Sequence, residues 1–204
     1  MKQYKEFRKM DISFEHSKTS FPSGLELREN YISADDERNF IENIDKGQWS
    51  TVLKRRTQHF GYEYDYKKKA TQELKQIETF PNWCLDLTTR LKQEVFYRAP
   101  EQLIINEYQP GQGISKHIDS PVFGEPIVSL SLGSPCVMIF TLKERRFEIL
   151  LPQRSLLVLR GESRWDWTHE IPARKNDKIN GQIIERTRRI SMTFRILNRD
   201  QSEN

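Results

Sequence analysis

The sequence has little cysteine and no long apolar run. Among its 204 residues the only cysteines are Cys84 and Cys136, and neither belongs to a Cys-x-x-Cys pair. Both lie in apolar segments, so we expect buried free thiols in a reducing compartment, and therefore an intracellular protein of the cytoplasm or nucleus. No segment is apolar enough to span a membrane, and the first residues lack the apolar core of a signal peptide. We therefore expect no membrane partner.

The length and composition predict one globular domain with a very polar surface. The chain is 36% hydrophobic and 30% charged, with a net charge of +4. We expect a single domain over 23–199, with poorly packed tails at 1–22 and 200–204. The modest positive charge permits a nucleic-acid partner without requiring one. We expect a monomer.

The periodicity predicts helices in the first half of the chain and strands in the second. Ser33-Ala-Asp-Asp is typical of a helix N-terminus with a capping box, and a second helix is expected from about Pro81 to Val95. Four short β-rich segments follow at 127–133, 136–142, 146–151 and 155–160. Strands this closely spaced, separated by Gly, Pro and charged turns, favour a sandwich or jelly roll over a βαβ sheet.

A His-x-Asp pair and a distant histidine form the candidate metal site. His117 and Asp119 lie one residue apart, and His169 follows about fifty residues later. In an extended strand, alternate side chains point the same way, which puts His117 and Asp119 about 7 Å apart along the backbone. Two imidazoles and one carboxylate leave open positions on an octahedral metal, the ligand set of non-haem Fe(II) sites that use O₂.

A strand near the C-terminus supports a binding cavity. Over 189–196 polar and apolar residues alternate, so that Arg189, Ser191, Thr193 and Arg195 share one face. Two arginines directed into one cavity require an anion, and a small dicarboxylate offers the two-bond geometry that arginine favours. Asn106 and Tyr108 likewise share a strand face, and Pro110, Gly111 and Gly113 then predict a hairpin turn before the His-x-Asp strand.

From about Trp49 to Leu197 the chain resembles the AlkB-type Fe(II)/2-oxoglutarate dioxygenases. Four ordered signatures carry the resemblance. They are Lys-Arg-Arg-Thr-Gln-His-Phe-Gly-Tyr at 54–62, Asn-Glu-Tyr-Gln-Pro-Gly-Gln-Gly-Ile at 106–114, Ile-Val-Ser-Leu-Ser-Leu-Gly-Ser at 127–134, and Arg-Ser-Leu-Leu-Val-Leu-Arg-Gly-Glu-Ser-Arg-Trp-Asp-Trp-Thr-His at 154–169. The resemblance implies a mainly β, α+β fold, in which a double-stranded β-helix (jelly-roll) core carries N-terminal helices on one side.

The resemblance also implies the roles of the candidate residues. His117, Asp119 and His169 would be the catalytic iron ligands, and Fe(II), 2-oxoglutarate and O₂ the cofactor and cosubstrates. The residues implied for 2-oxoglutarate are Asn106, Tyr108, Arg189, Ser191 and Arg195. Two positions depart from base-repairing members: Ser120 and Pro121 follow Asp119 where those members often have acidic residues, and Ser191 stands where several have Asn. These departures lead us to favour RNA over alkylated DNA.

A basic, aromatic segment from Lys54 to Lys69 is the candidate substrate lid. Phe60, Tyr62, Tyr64 and Tyr66 alternate along it, with basic residues at each end. Stacking aromatics and cations suit one extruded base and its flanking phosphates. The candidate substrate-binding residues are Arg55, Arg56, Gln58, Tyr62 and Tyr64. A hairpin whose aromatics only cover the edge of the core is the alternative, and we interpret His59 as structural.

We predict from these features an enzyme that demethylates or hydroxylates a base in single-stranded or base-flipped nucleic acid, with two alternatives. One is an oxygenase acting on a protein or small molecule. The other is a β-helix binding module without turnover, against which the complete metal triad and paired arginines argue.

Overall fold

A seven-stranded antiparallel sheet forms the larger layer of the fold. The structure is a computed structural model that describes residues 22–63, 75–179 and 181–199. Tyr64, Tyr66 and the two predicted tails, apart from Pro22, lie outside these residues. In spatial order the strands are β1 (Leu25–Arg28), β9 (Leu156–Leu159), β6 (Ile127–Gly133), β13 (Arg189–Arg195), β4 (Gln102–Tyr108), β2 (Arg56–Glu63) and β3 (Lys75–Gln76).

A four-stranded antiparallel sheet forms the second layer. Its strands, in spatial order, are β5 (Ile114–His117), β10 (Thr168–Ile171), β7 (Cys136–Leu142) and β8 (Arg145–Leu151). A separate hairpin consists of β11 (Asn176–Ile179) and β12 (Gln182–Glu185). Antiparallel strands in two layers are the predicted jelly roll, and each of the four predicted β-rich segments is a strand here.

Two helices cover the outer face of the large sheet, as predicted. Helix α1 (Ala34–Lys46) begins at Ser33 with the predicted capping box, completed by Asp36. Helix α2 (Leu85–Glu94) follows a short 3-10 turn at Asn82–Cys84, so the predicted second helix is divided near its start. A third, short helix, α3 (Gly161–Trp165), connects β9 to β10. Among the described residues no helix is long and apolar enough to cross a membrane.

Strand β13 separates an apolar core from a polar cavity. Ile190, Met192 and Phe194 are buried in the core between the helices and the large sheet. Burial of each such side chain stabilises the fold by about 1.5–3 kcal/mol. The alternate residues face the space between the two sheets, where a second core surrounds the cavity. Cys84 and Cys136 are buried free thiols, one in each core, which confirms their predicted burial and unpaired state.

The turn at 109–113 does not form the predicted hairpin. Strands β4 and β5, on either side of it, belong to different sheets. Both edges of β4 are already occupied by β2 and β13, so β5 must pair elsewhere. It pairs with β10, and a Cβ at Gly113 would lie only 2.1 Å from the carbonyl oxygen of Ile171. Glycine is therefore needed where the chain passes to the second sheet.

A buried ion pair joins the β11–β12 hairpin to the small sheet. The Asp177 carboxylate accepts two hydrogen bonds from Arg186, at 2.6 and 2.7 Å, and one from the backbone N–H of Val137 at 3.0 Å. Arg174 donates a further bond of 2.8 Å. Burial alone would raise the pKa of Asp177, but these donors outweigh it and the pKa lies below its ordinary value.

We expect Asp177→Asn to lower the free energy of unfolding by about 3–5 kcal/mol, because it leaves the Arg186 guanidinium buried without a counter-charge. The matched control is Asp45→Asn, which weakens the exposed pair with Arg188 and should cost at most about 1 kcal/mol. Urea unfolding of both variants measures the difference. Since the folded pKa of Asp177 is lowered, its stabilisation is complete above the ordinary value of 3.8 and is lost as the pH falls below it. Equal losses of unfolding free energy in Asp177→Asn and Asp45→Asn would contradict the assignment of Asp177 and Arg186 as a buried, stabilising ion pair.

Candidate active site

Three predicted ligands come together between the two sheets. His117 ends β5 and pairs directly with His169 of β10, so that their ring centroids lie 4.4 Å apart. Asp119 follows two residues after His117, beyond the end of the strand. One ligand atom from each of the three lies within 4.8 Å of the others. This spacing allows one metal ion to be shared by all three.

The hydrogen bonds of the triad set its orientation. Nδ1 of His117 lies 2.8 Å from the carbonyl oxygen of Ser115, which can only accept, so this nitrogen carries the proton and Nε2 is free to bind a metal. Nε2 of His169 lies 3.5 Å from Asp119. Oδ1 of Asp119 accepts a bond of 2.5 Å from Arg195.

Asp119 and His169 are held in their metal-binding protonation states. Burial alone would raise the pKa of the Asp119 carboxyl, but Arg195 and then the two histidines outweigh it and hold the pKa well below its usual range. Burial lowers the pKa of His169 to about 4, against the attraction of Asp119. At neutral pH the carboxylate is therefore ionised and this imidazole neutral, which are the forms that coordinate metals.

The cavity beside the triad is lined by the polar faces of neighbouring strands. Asn106 and Tyr108 come from β4, and Ser129 from β6. Strand β13 contributes all four residues of its predicted polar face, Arg189, Ser191, Thr193 and Arg195. Apolar side chains complete the wall: Ile114, Ile127, Met138, Leu157, Leu159 and Ile171. The structure therefore brings every residue predicted for the metal and for 2-oxoglutarate to one cavity.

The two arginines differ in how many donors they leave free. Arg189 is buried, and its Nη2 donates to the hydroxyl of Ser131 at 2.9 Å. Its Nε and Nη1 are buried and have no oxygen acceptor within the described residues. Arg195 donates to Gln102 at 2.7 Å as well as to Asp119. An anion in the cavity would find its two-bond partner at Arg189, whereas Arg195 mainly orients the metal ligand.

These features fit Fe(II) and 2-oxoglutarate. Two imidazoles and a carboxylate with open positions beside them are a suitable set for non-haem Fe(II). A buried guanidinium with unused donors is costly unless an anion completes it, and a carboxylate does so with two parallel bonds. His117, Asp119 and His169 would hold the metal, and Arg189 would hold a carboxylate of the cosubstrate.

The predicted substrate residues divide between the two faces of β2. The register pairs Thr57 with Asn106, so Thr57 and His59 share the face that Asn106 presents to the cavity. Just before the strand, Nε of Arg55 donates to Oδ1 of Asn106 at 2.9 Å. Nε2 of His59 lies 3.1 Å from the Thr57 hydroxyl, so the two side chains are in contact on this face.

Two other predicted substrate residues, Arg56 and Gln58, lie on the helix-covered face of β2. Arg56 makes two bonds to Glu107, at 2.6 and 2.7 Å. Gln58 is buried, and its amide donates to the carbonyl of Ile44 in α1 at 2.8 Å. Phe60 packs against the helix-side core, and Tyr62 lies beyond the pairing with β4, opposite Gln76 of β3. In this structure Arg56 and Gln58 therefore make contacts within the fold, and their role in substrate binding stays a prediction. Tyr64 lies outside the described residues.

Three contributors to the site were missed in the sequence. Ser131 binds Arg189, Gln102 binds Arg195, and Arg164 binds the loop that carries Asp119. The signal for Ser131 was available, because Ser129 and Ser131 alternate with leucines along β6 as the polar residues do along β13. Alternation also places Gln102 on the face of β4 that carries Asn106 and Tyr108, whereas no alternation pattern marks Arg164.

The fold and the site define a non-haem iron oxygenase of the jelly-roll type. The family model of the 2OG-Fe(II) oxygenase superfamily matches residues 27–195, and the chain belongs to this superfamily, in its AlkB-type branch. It is 37% identical over 207 residues to mouse "tRNA (carboxymethyluridine(34)-5-O)-methyltransferase ALKBH8", covering 88% of this chain and 31% of that protein. It is 31% identical to the Arabidopsis thaliana "Alkylated DNA repair protein ALKBH8 homolog", covering 90% of this chain and 61% of that protein.

A solved structure of low sequence identity has the same fold. The protein described as OsALKBH1 superposes with a TM-score of 0.62 at 18% identity, covering 87% of this chain and all of that chain. The chain spans only about a third of the vertebrate ALKBH8 proteins that it matches, with 31% and 32% of two of them covered.

Proposed function

We propose that this protein is an Fe(II)- and 2-oxoglutarate-dependent dioxygenase that hydroxylates or demethylates a base in RNA. The observation that carries the proposal is one cavity in which the triad lies beside the buried Arg189 guanidinium, from two of whose donors no oxygen atom of the described residues accepts. The first group suits Fe(II), and the second suits a small carboxylate.

The residues of the chain position and protect the reaction. When bound, Fe(II) and 2-oxoglutarate supply, with O₂, the oxidation of a substrate C–H bond to an alcohol. His117, Asp119 and His169 hold the metal, and Arg195 keeps the Asp119 carboxylate ionised and oriented. Arg189 binds the cosubstrate carboxylate, with Asn106, Tyr108 and Ser191 beside it. The apolar wall keeps bulk water from the reacting centre.

The product depends on which carbon of the base is oxidised. Hydroxylation of an N-methyl carbon gives an N-hydroxymethyl group, which releases formaldehyde and leaves the demethylated base. Hydroxylation of a carbon substituent on the ring gives a stable alcohol. A buried centre can reach either carbon only when the base leaves its stack, so a single-stranded or flipped base is the expected substrate.

Two observations support RNA. Ser120 and Pro121 follow Asp119, so no acidic side chain is offered to a damaged DNA base directly after the metal ligand. The mouse relative is described as acting on carboxymethyluridine 34 of tRNA. That description concerns methyl transfer, and this chain covers 31% of that protein. We therefore adopt tRNA as the class of substrate and not methyl transfer as the reaction.

We expect Arg55→Ala to weaken binding to single-stranded RNA and to flatten its salt dependence. Arg55 is half-buried beside Asn106 at the cavity, where a substrate phosphate could reach it. Loss of one phosphate contact reduces the slope of log affinity against log salt by about 0.7. The matched control is Arg56→Ala, because Arg56 is directed to Glu107 on the opposite face of the strand and should leave the slope unchanged. Titration of a labelled tRNA anticodon stem-loop across a salt series measures both, and equal slopes for the two variants would contradict this orientation of β2.

The proposal is tested by mass spectrometry of nucleosides from tRNA and DNA in cells with and without the protein. We expect one tRNA nucleoside to differ by an oxygen atom or a methyl group, with DNA unchanged. A change confined to DNA would replace RNA with alkylated DNA as the substrate. Unchanged nucleosides in both would favour the alternative, an oxygenase acting on a protein or small molecule.

A further inference from the structure

Asp119 is not held by the strand that carries His117. Strand β5 ends at His117, and Asp119 begins the loop that leads towards β6. The side-chain alternation of a strand therefore cannot fix the direction of the Asp119 carboxylate. Arg195 binds the carboxylate itself, so what remains to be held is the backbone of the loop from which the carboxylate projects.

Arg164 of α3 holds this backbone. Its side chain is buried, with 2% of the residue exposed. The guanidinium donates to the backbone carbonyls of Asp119 at 3.1 Å and Ser120 at 2.9 Å. It also donates to those of Phe123 at 2.6 Å and Gly124 at 3.4 Å. One planar group thus holds both ends of the 119–124 loop.

A second set of contacts from α3 holds the residue that follows the loop. The Glu125 carboxylate accepts bonds from the backbone N–H of Gly161 at 2.6 Å and from Nε1 of Trp165 at 3.1 Å. The Arg164 guanidinium lies over the Trp165 ring, 4.1 Å from its centroid. Because α3 leads directly into β10, the same short segment that holds the loop also carries His169.

An arginine at position 164 is better suited to positioning the 119–124 loop than to stabilising the fold. The four side-chain hydrogen bonds of Arg164 all go to carbonyl oxygens and none to a carboxylate. A buried cation is costly to desolvate, and an apolar side chain of similar size often stabilises a core as well or better. Only arginine, however, has five donors in a rigid plane that can reach several carbonyls at once, whereas lysine has three donors on one atom.

We infer that Arg164 is a positioning residue of the metal centre, which fixes the backbone of Asp119 so that its carboxylate faces His117 and His169. The inference rests on the proposed metal site. It predicts that loss of Arg164 weakens metal binding although Arg164 is not itself a ligand. Replacement of a residue that orients a metal ligand typically costs about 10–100-fold in metal affinity.

The test compares the Mn(II) affinity of Arg164→Met and Arg164→Lys by isothermal titration, with no substrate or turnover. We expect Arg164→Met to weaken Mn(II) binding at least tenfold and Arg164→Lys to lie between it and the parent protein. The matched control is Arg145→Met, which removes a bond from another arginine to Glu162 of the same helix and leaves the 119–124 loop untouched. It should bind Mn(II) within about twofold of the parent protein. His117→Ala gives the reference for loss of a ligand.

Thermal unfolding without metal separates positioning from general stability. A purely structural Arg164 would lower the unfolding temperature of its variants but leave the Mn(II) affinity of the folded protein unchanged, and that result would overturn the inference. If Arg164→Met does not fold, the inference stands or falls on Arg164→Lys alone. A parent protein that does not bind Mn(II) would overturn the metal site itself, and the inference with it. Tight Mn(II) binding without any RNA oxidation would overturn only the proposed function.

Discussion

Replacement of His117, Asp119 or His169 by alanine is expected to abolish turnover without unfolding the protein. Three protein ligands are the minimum for this kind of site, so loss of one leaves too few to hold the ion. Replacement of a residue that only orients a metal ligand lowers metal affinity by up to about 100-fold, and removal of a ligand should lower it by at least that much. Succinate release and Mn(II) titration measure the two consequences separately.

Lys116→Ala is the control for the ligand variants. Lys116 precedes His117 on β5, and its side chain is exposed. This variant should keep the metal affinity of the parent protein. Ordinary succinate release from any one of the three ligand variants at low iron would exclude the assigned metal centre.

Replacement of Arg189 is expected to raise the 2-oxoglutarate requirement strongly. Its Nε and Nη1 are buried, and no oxygen atom within the described residues accepts from them. A hydrogen bond to a charged group contributes about 1.5–3 kcal/mol. Loss of one such bond in Arg189→Lys should therefore raise the apparent dissociation constant by roughly 10–150-fold, since 1.4 kcal/mol corresponds to tenfold.

Arg195→Ala separates the roles of the two arginines. Because Arg195 donates to Asp119 and Gln102, its loss should weaken Mn(II) binding more than 2-oxoglutarate binding. Titration of 2-oxoglutarate at saturating Mn(II) with both variants gives the comparison. If the Arg189 variant keeps the parent affinity for 2-oxoglutarate, the carboxylate lies elsewhere in the cavity.

The cavity could be predicted because strand alternation is a local property. Along β13 every second residue is polar, and the structure directs those residues between the sheets and the others towards the helices. The same rule identified Asn106 and Tyr108. The capping box at Ser33 was equally local, since all its partners lie within four residues.

Features that depend on pairing between distant segments were not predicted. Alternation groups Arg56, Gln58 and Phe60 on one face of β2, but only the register with β4 decides that this face is covered by helices. A turn at 109–113 is present, but the predicted hairpin was wrong, because both edges of β4 are occupied and β5 pairs with β10. Arginine is usually exposed, so the sequence does not indicate that Arg164 is buried. Its burial depends on the 119–124 loop, which packs over it in the folded structure.

The central claim is that the cavity couples 2-oxoglutarate turnover to oxidation of an RNA base. In the most direct measurement, the purified protein is incubated with Fe(II), 2-oxoglutarate, O₂ and tRNA from cells that lack the protein. Succinate and modified nucleoside are then quantified in the same sample. We predict that they form in equal amounts, that Asp119→Ala forms neither, and that single-stranded RNA competes better than duplex DNA. Succinate formed without any change in the nucleosides would contradict the claim.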